Sequence, residues 1–455
     1  MDETRRLAAA LSELTFDRLP EQVIRKAKLC LLDFLANVYG SLELEAVGRI
    51  VSGFRRSNMA GISTVLGCGF RTEPRDAAFL NGVTAEAVEA QDGLRFGGNH
   101  PGTAVIPAAL AVAEELGSDG RQVLEAVVAG YEAANRIAAA VHPRHTLSGF
   151  LPTGTCGTFG AACAAAKLLG LDRTGMRDAL GCAGYLAPLS MAEQLMGGFT
   201  VKVVQGGQAA ACGISAAGLA RAGITGAPHV LEGSALKGGF TLITTADNAA
   251  LERITERLGE HHTILDVYLK PYTACRHTHG AAQAALALAR DEQLRVQEVE
   301  AVEVFTYGIA ALAVGKTVTK EDSFVSAQFS IPYVVACCLT DGEMGPRQLR
   351  EDRLRDPSLL ELCTRVAVRY DEELNRAYPE RTSTRVEVRL ASGKRLVRQV
   401  EIPKGDPRDP LSEEEVSAKV RRFAARRDRP NVEEAIRLAR RFDELGDVRE
   451  WTALV

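Results

Sequence analysis

Aromatic residues are scarce in this chain: they make up 5% of 455 residues, with a single tryptophan. A core so poor in large flat side chains must be filled by small and aliphatic ones, and the 42 glycines suit helices packed at close range. Long apolar runs are missing as well. None reaches the roughly 18 residues that a membrane-spanning helix needs. The opening M-D-E-T-R-R shows no apolar stretch of the secretory-signal kind. No charge of one sign dominates, since 54 basic against 58 acidic residues leave −4. Such a balance gives no basis for binding nucleic acid or an anionic membrane surface. The ten cysteines form no C-x-x-C pair, and Cys30, Cys163, Cys182 and Cys212 lie in apolar segments, as small core residues do. A reducing, cytoplasmic setting is the expectation.

At this length one hydrophobic core is rarely enough, so two domains are expected. Apolar residues at three-to-four spacing predict helices over 20–39, 76–89, 103–116, 120–140, 161–169 and 209–222. A Gly/Thr-rich loop is expected before 161, and no strand before residue 240. The pattern changes after about 260. Residues 299–307 and 365–370 alternate like half-buried strands, and 384–402 reads as a hairpin turning at Ser392-Gly393. A helix containing 283–290 lies among them. Ser412 and Glu415 form a capping box, and 431–445 is a further helix. The expected architecture is mainly α: a helical domain, 1–260, joined by the tail 405–455, and a smaller α+β domain, 261–404.

The densest chemistry lies in E-A-Q-D-G-L-R-F-G-G-N-H-P-G, residues 89–102. If the preceding helix continues, Glu89 and Asp92 share one face, with Arg95 at the same spacing. A Gly-Gly break then brings His100 to the mouth of the next helix, with Pro101 at its first position. The positive end of a helix favours a neutral imidazole. Acid, base and cation so close together suit proton transfer; a polar helix end with a capping histidine would look the same.

In G-G-F-T-V-K-V-V-Q-G-G, Lys202 stands alone among small and apolar residues, placed either to meet an anionic substrate or simply to be exposed. The order of a phosphate-binding loop is absent. Y-L-K-P-Y-T-A-C-R-H-T-H gathers Lys270, Tyr272, Arg276, His277 and His279, a set able to grip carboxylates. Its C-x-H-x-H lacks a second ligand pair, so no metal is expected. His142, His145 and Thr153 fall in a segment that reads as a surface loop, and A-Q-F-S-I-P-Y (327–333) passes as core.

Together these stretches resemble the MmgE/PrpD family. They run in family order over about residues 5–400: L-L-D-F-L-A-N, E-x-x-D-G-x-R-F with H-P-G, G-F-x-P-T-G-T-x-G-T-F-G, V-K-x-x-x-G-G-Q-A-A, K-P-Y-x-A-C-R-x-T-H and A-Q-F-S-I-P-Y. The resemblance implies a large helical domain with an α+β lid, a homodimer, and a site between the domains for a small polycarboxylate, with no cofactor. It implies catalytic roles for Glu89, Asp92, His100 and Lys202. Arg95, Thr153, Lys270, Tyr272, Arg276 and His279 are the implied substrate-binding residues. Two positions depart from the family pattern: Leu151 and Gln205 stand where histidines are usual. Leucine moves no proton. Three readings follow. They are a dehydratase-type lyase abstracting a proton α to a carboxylate, an epimerase or isomerase on the same scaffold, and a catalytically reduced paralogue that only binds a small acid.

Overall fold

In the computed structural model the described residues are 2–57, 61–425 and 431–455. The N-terminal part is built from α1 (Glu21–Ser41), α2 (Pro74–Ala87), α3 (Gly102–Leu116), α4 (Gly120–Val141), α5 (Pro152–Leu168), α6 (Arg173–Leu186) and α7 (Gln205–Arg221). Helix α5 is the hub, packed on α3, α4, α6 and α7. Every residue from Pro152 to Ala166 is buried. Such a helix has no polar stripe, and periodicity cannot find it. The expected Gly/Thr-rich loop is therefore helix from Pro152 onward. Gly160 shows why: a Cβ there would lie 2.7 Å from Gly130 O and 2.7 Å from Ala134 Cβ. Glycine costs helix propensity of about 1 kcal/mol per residue, which close packing of this kind offsets.

Helix α4 matches its pattern closely and opens on a capping box of Asp119 and Gln122. Short strands precede residue 240, contrary to expectation. The pair β1 (Ser63–Val65) and β2 (Phe70–Thr72) is a small hairpin, and β3 (Gly93–Leu94) pairs antiparallel with β4 (Val267–Tyr268). Runs of two or three residues are too short to show alternation.

The C-terminal part carries a four-stranded sheet in the order β6-β5-β7-β8, with β5 (Val299–Thr306), β6 (Val366–Tyr370), β7 (Thr384–Leu390) and β8 (Arg395–Val400). β5 and β6 are parallel and the other pairs antiparallel. Helices α8 (His279–Asp291) and α9 (Ile331–Asp341) pack together, α8 against β7 and β8 and α9 against β6. The tail returns to the helical part. α10 (Glu413–Ala424), capped by Ser412 and Glu415, lies on α1, and a Cβ on Gly40 would come within 2.8 Å of Phe423. The single tryptophan, Trp451, is fully buried and donates to Ala435 O at 2.9 Å. Among the described residues no helix is long and apolar enough to cross a membrane.

Candidate active site

Helices α2 and α7 meet at two glycines: a Cβ on Gly82 would sit 2.5 Å from Gly207 Cα. That closeness brings the last turn of α2 against the start of α7. Glu86, one turn beyond Gly82, therefore faces Lys202 and Gln205. Lys202 Nζ and Gln205 Nε2 each donate to Glu86 Oε1 at 2.7 Å. Glu86 Oε2 and Gln205 Oε1 are buried without a hydrogen-bond partner among the described residues. Acceptors beside ammonium donors can hold a polar ligand.

Helix α2 ends at Ala87, so Glu89 and Asp92 do not share a helix face. Glu89 takes φ 55°, a left-handed conformation costing roughly 1–2 kcal/mol for a side chain of this type. The turn throws its carboxylate back beside Glu86. Lys202 donates to Glu89 Oε2, and Lys270 Nζ to Oε1 at 2.6 Å. Burial alone would raise the Glu89 pKa; Lys202, Lys270 and His100 outweigh it and hold the carboxyl well below the usual range. Lys202 is not exposed: it is buried and held above the usual lysine range, because Glu86 and Glu89 outweigh its desolvation. Lys270 enters through β4, locked to β3 where Gly93 faces Tyr268. A Cβ on Gly93 would fall 2.4 Å from Tyr268 Oη and 2.8 Å from His100 Nδ1, so only glycine fits.

His100 completes the cluster. Its backbone N–H donates to Thr153 Oγ1 at 3.0 Å, and Nδ1 lies 2.6 Å from the Asp92 carbonyl. A carbonyl only accepts, so Nδ1 carries the proton and Nε2 keeps its lone pair. Nε2 points toward Glu89 Oε1, 3.9 Å away. The side chain is 15% exposed, within reach of a small ligand. Burial, and then the Lys270 charge, push its pKa down to about 4. The neutral ring expected from the sequence is present, by desolvation more than by a helix end. Asp92 orients the ring with its backbone, not its side chain. Its carboxylate accepts from Gly102 N at 3.1 Å, at the start of α3, and from Tyr131 Oη at 2.7 Å. Burial raises the Asp92 pKa to about 7 against the Tyr131 hydrogen bond, with Asp33 adding to the rise.

Other residues singled out in the sequence stand apart. Arg95 donates to Pro379 O and stacks 4.1 Å from the Phe96 ring, on a cleft of about 440 Å³ that it shares with Arg136, Arg253 and Arg408. Arg276 spends its guanidinium on Pro403 O (2.7 Å) and Lys404 O (2.8 Å), tying the 270s loop to the chain that leads into α10. His279 Nε2 is on Ala274 O, its ring 5.2 Å from that of Tyr272. His277 Nδ1 is 2.7 Å from Tyr307 Oη, so the two histidines of C-x-H-x-H serve separate partners. Elsewhere Asp2, His229 and Glu232 bring three donor atoms within 4.8 Å, with Glu232 already holding Thr4. His145 is no surface residue: it is fully buried, 2.8 Å from Thr155 Oγ1 and packed on Phe150 and Phe240. His142 is partly buried.

Glu86 and Tyr131 were not anticipated, nor were Gln328 and the pair Asp33–Lys419. Gln328, in the stretch that reads as core, donates to Ala87 O at 2.8 Å and fixes the end of α2. From α10, Lys419 Nζ reaches Asp33 Oδ1 (2.7 Å) and Ala90 O (2.6 Å), all buried. The tail helix thus holds the turn that presents Glu89. Lys419→Met leaves Asp33 buried without its bonded cation, with only the Asn37 amide donating to it among the described residues, and urea unfolding should show a loss of about 3–5 kcal/mol. Adding Asp33→Leu should recover much of it. A single variant as stable as the parent would contradict this arrangement.

Residues 5–252 match the MmgE/PrpD N-terminal domain and residues 272–444 the MmgE/PrpD C-terminal domain. A cis-aconitate decarboxylase of Aspergillus terreus (strain NIH 2624 / FGSC A1156) is 28% identical, over 96% of this chain and 92% of its own length. The Homo sapiens cis-aconitate decarboxylase is 27% identical over 99% and 94%. A cis-aconitate decarboxylase-like protein, oryM, of Aspergillus oryzae (strain ATCC 42149 / RIB 40) is 27% identical over 93% and 90%.

Proposed function

Since this chain belongs to the MmgE/PrpD family, we propose that it is a lyase acting on a small di- or tricarboxylic acid by removing a proton α to a carboxylate. The observation that carries this reading is the fixed tautomer of His100: Nδ1 on the Asp92 carbonyl, Nε2 unprotonated and aimed at the lysine-bound Glu89. A neutral imidazole so placed is a base. The carbanion it creates delocalises into the adjacent carboxylate. Lys202 and Lys270 supply the positive charge that stabilises it, in a buried setting where such stabilisation is strongest. Each ammonium has three N–H donors. Counting partners among the described residues, two of Lys270's and one of Lys202's have no acceptor; both side chains are buried, so in this reading they meet the substrate only once it has entered the cluster. The reaction asks for no metal or organic cofactor. In this reading residues 1–260, with the tail 405–455, carry the base. Residues 261–404 bring Lys270 across as a lid, and closure excludes water.

Dehydration is the first form of the reaction, with hydroxide leaving from the neighbouring carbon. Decarboxylation is the second, favoured by the names of the relatives. There the carbon–carboxyl bond breaks in place of a carbon–hydrogen bond, and carbon dioxide leaves. The same two lysines stabilise the carbanion, and a protonated side chain such as an imidazolium returns a proton to it. Proton NMR in heavy water, with a panel of hydroxylated, unsaturated and amino di- and tricarboxylic acids, separates them. New vinyl signals are expected, with loss of water or of carbon dioxide. α-Deuterium incorporation without a new product would replace the lyase by an epimerase. No exchange with any acid would leave a binding protein.

A further inference from the structure

An elimination needs a proton donor as well as a base. Lys202 and Lys270 are assigned to the developing negative charge, and the acids and the other imidazole of the neighbouring segments are committed. Asp92 holds Gly102 and Tyr131, Glu89 holds two lysines, and His145 is packed on Thr155. His142 is not committed. It follows α4, it is partly buried, and Nδ1 is buried without a hydrogen-bond partner among the described residues. Its ring lies against the segments that hold His100. A Cβ on Gly98, two residues before His100, would be 3.3 Å from His142 Nδ1 and 3.7 Å from Pro152, the neighbour of Thr153. It is also close enough for its charge to act on His277, on the loop that bears Lys270. Three site segments converge on an imidazole whose Nδ1 has no hydrogen-bond partner among the described residues.

We infer that His142 is the second proton-transfer residue, the acid that protonates the leaving group; this rests on the lyase reading above. In the free protein burial, and then Arg253, disfavour its charged form, and His277 and His145 flank it as further imidazoles. The carboxylates of an arriving acid favour the imidazolium, so the ring gains a proton with the substrate. His100 Nε2 removes the α-proton, and the bonding pair moves into the carboxylate. That pair then forms the carbon–carbon double bond as the hydroxyl leaves with the proton of His142. One imidazole ends protonated and the other neutral, and water departs.

The test is His142→Asn in heavy water with an acid that the parent converts. Product formation should fall on the order of a hundredfold or more, while the α-proton of recovered substrate still exchanges, because His100 is intact. Added imidazole should restore part of the product rate. His142→Gln, of larger volume, guards against a packing defect, with thermal unfolding as the check. If product and exchange decline together, or neither declines, His142 is not the acid. If the unaltered protein neither exchanges nor converts any acid, the lyase reading falls and this role with it.

Discussion

Lys202→Met should lower turnover by on the order of a hundredfold or more and destabilise the protein by about 3–5 kcal/mol. Both effects come from one atom. Nζ lies between Glu86 and Glu89, bonded to each, and the buried carboxylates keep it charged. Methionine fills the same length without the charge. Two carboxylates are then left in one dry pocket, Glu89 with Lys270 and Glu86 with only the neutral Gln205 amide as hydrogen-bond donor among the described residues. Glu89 loses the largest influence that keeps it ionised and would take up a proton. The carbanion loses one of its two cations. NMR turnover assays give the first effect and urea midpoints the second. The double variant with Glu86→Gln separates them: neutralising one acid should return part of the stability and none of the turnover. A folded Lys202→Met protein that keeps most of its activity would remove Lys202 from the chemistry.

The parts of this cluster were legible one at a time, and their meeting was not. Glu89, His100, Lys202 and Lys270 each stand out as polar residues in glycine-rich or apolar stretches. Glu89 and Lys270 are 181 positions apart, and no periodicity links them. Glu86 was invisible because E-A-V-E at a helix end resembles any solvated face; only the Gly82–Gly207 contact turns it inward. Lys419 was hidden similarly, 386 positions from Asp33 on a helix rich in charge. Arg276 looked like a carboxylate clamp because guanidinium donors suit carboxylates, but carbonyls at Pro403 and Lys404 satisfy the same donors. The helices with a polar side, such as α4, were plain in the sequence. α5 was not, since burial on every side erases the pattern that marks a helix.

His100→Asn should reduce turnover by about a hundred- to ten-thousandfold, the range for a lost proton-transfer group. Asparagine keeps a donor for the Asp92 carbonyl but has no basic nitrogen to offer. The pH dependence makes the assignment specific. Burial and Lys270 hold the ring neutral down to about 4, below its ordinary 6.5. The rate with the unaltered protein should therefore not fall as pH passes down through 6.5 and should drop only near 4. An acid limb centred near 6.5 would mean that the ring is not held as described. Stability carries the same signature. Between 6.5 and about 4 the unfolded chain binds a proton here that the folded protein refuses, so the contribution of this ring to stability falls as pH falls through that window. Glu89, ionised in the fold far below its usual range, adds a loss of the same sign at the acid end. His100→Asn removes only the first contribution. Its stability should decline less between 6.5 and 4 and then rejoin the parent's slope at lower pH. Urea midpoints across that range test a folded-state property of the base with no substrate present, so they stand whichever acid the site turns over.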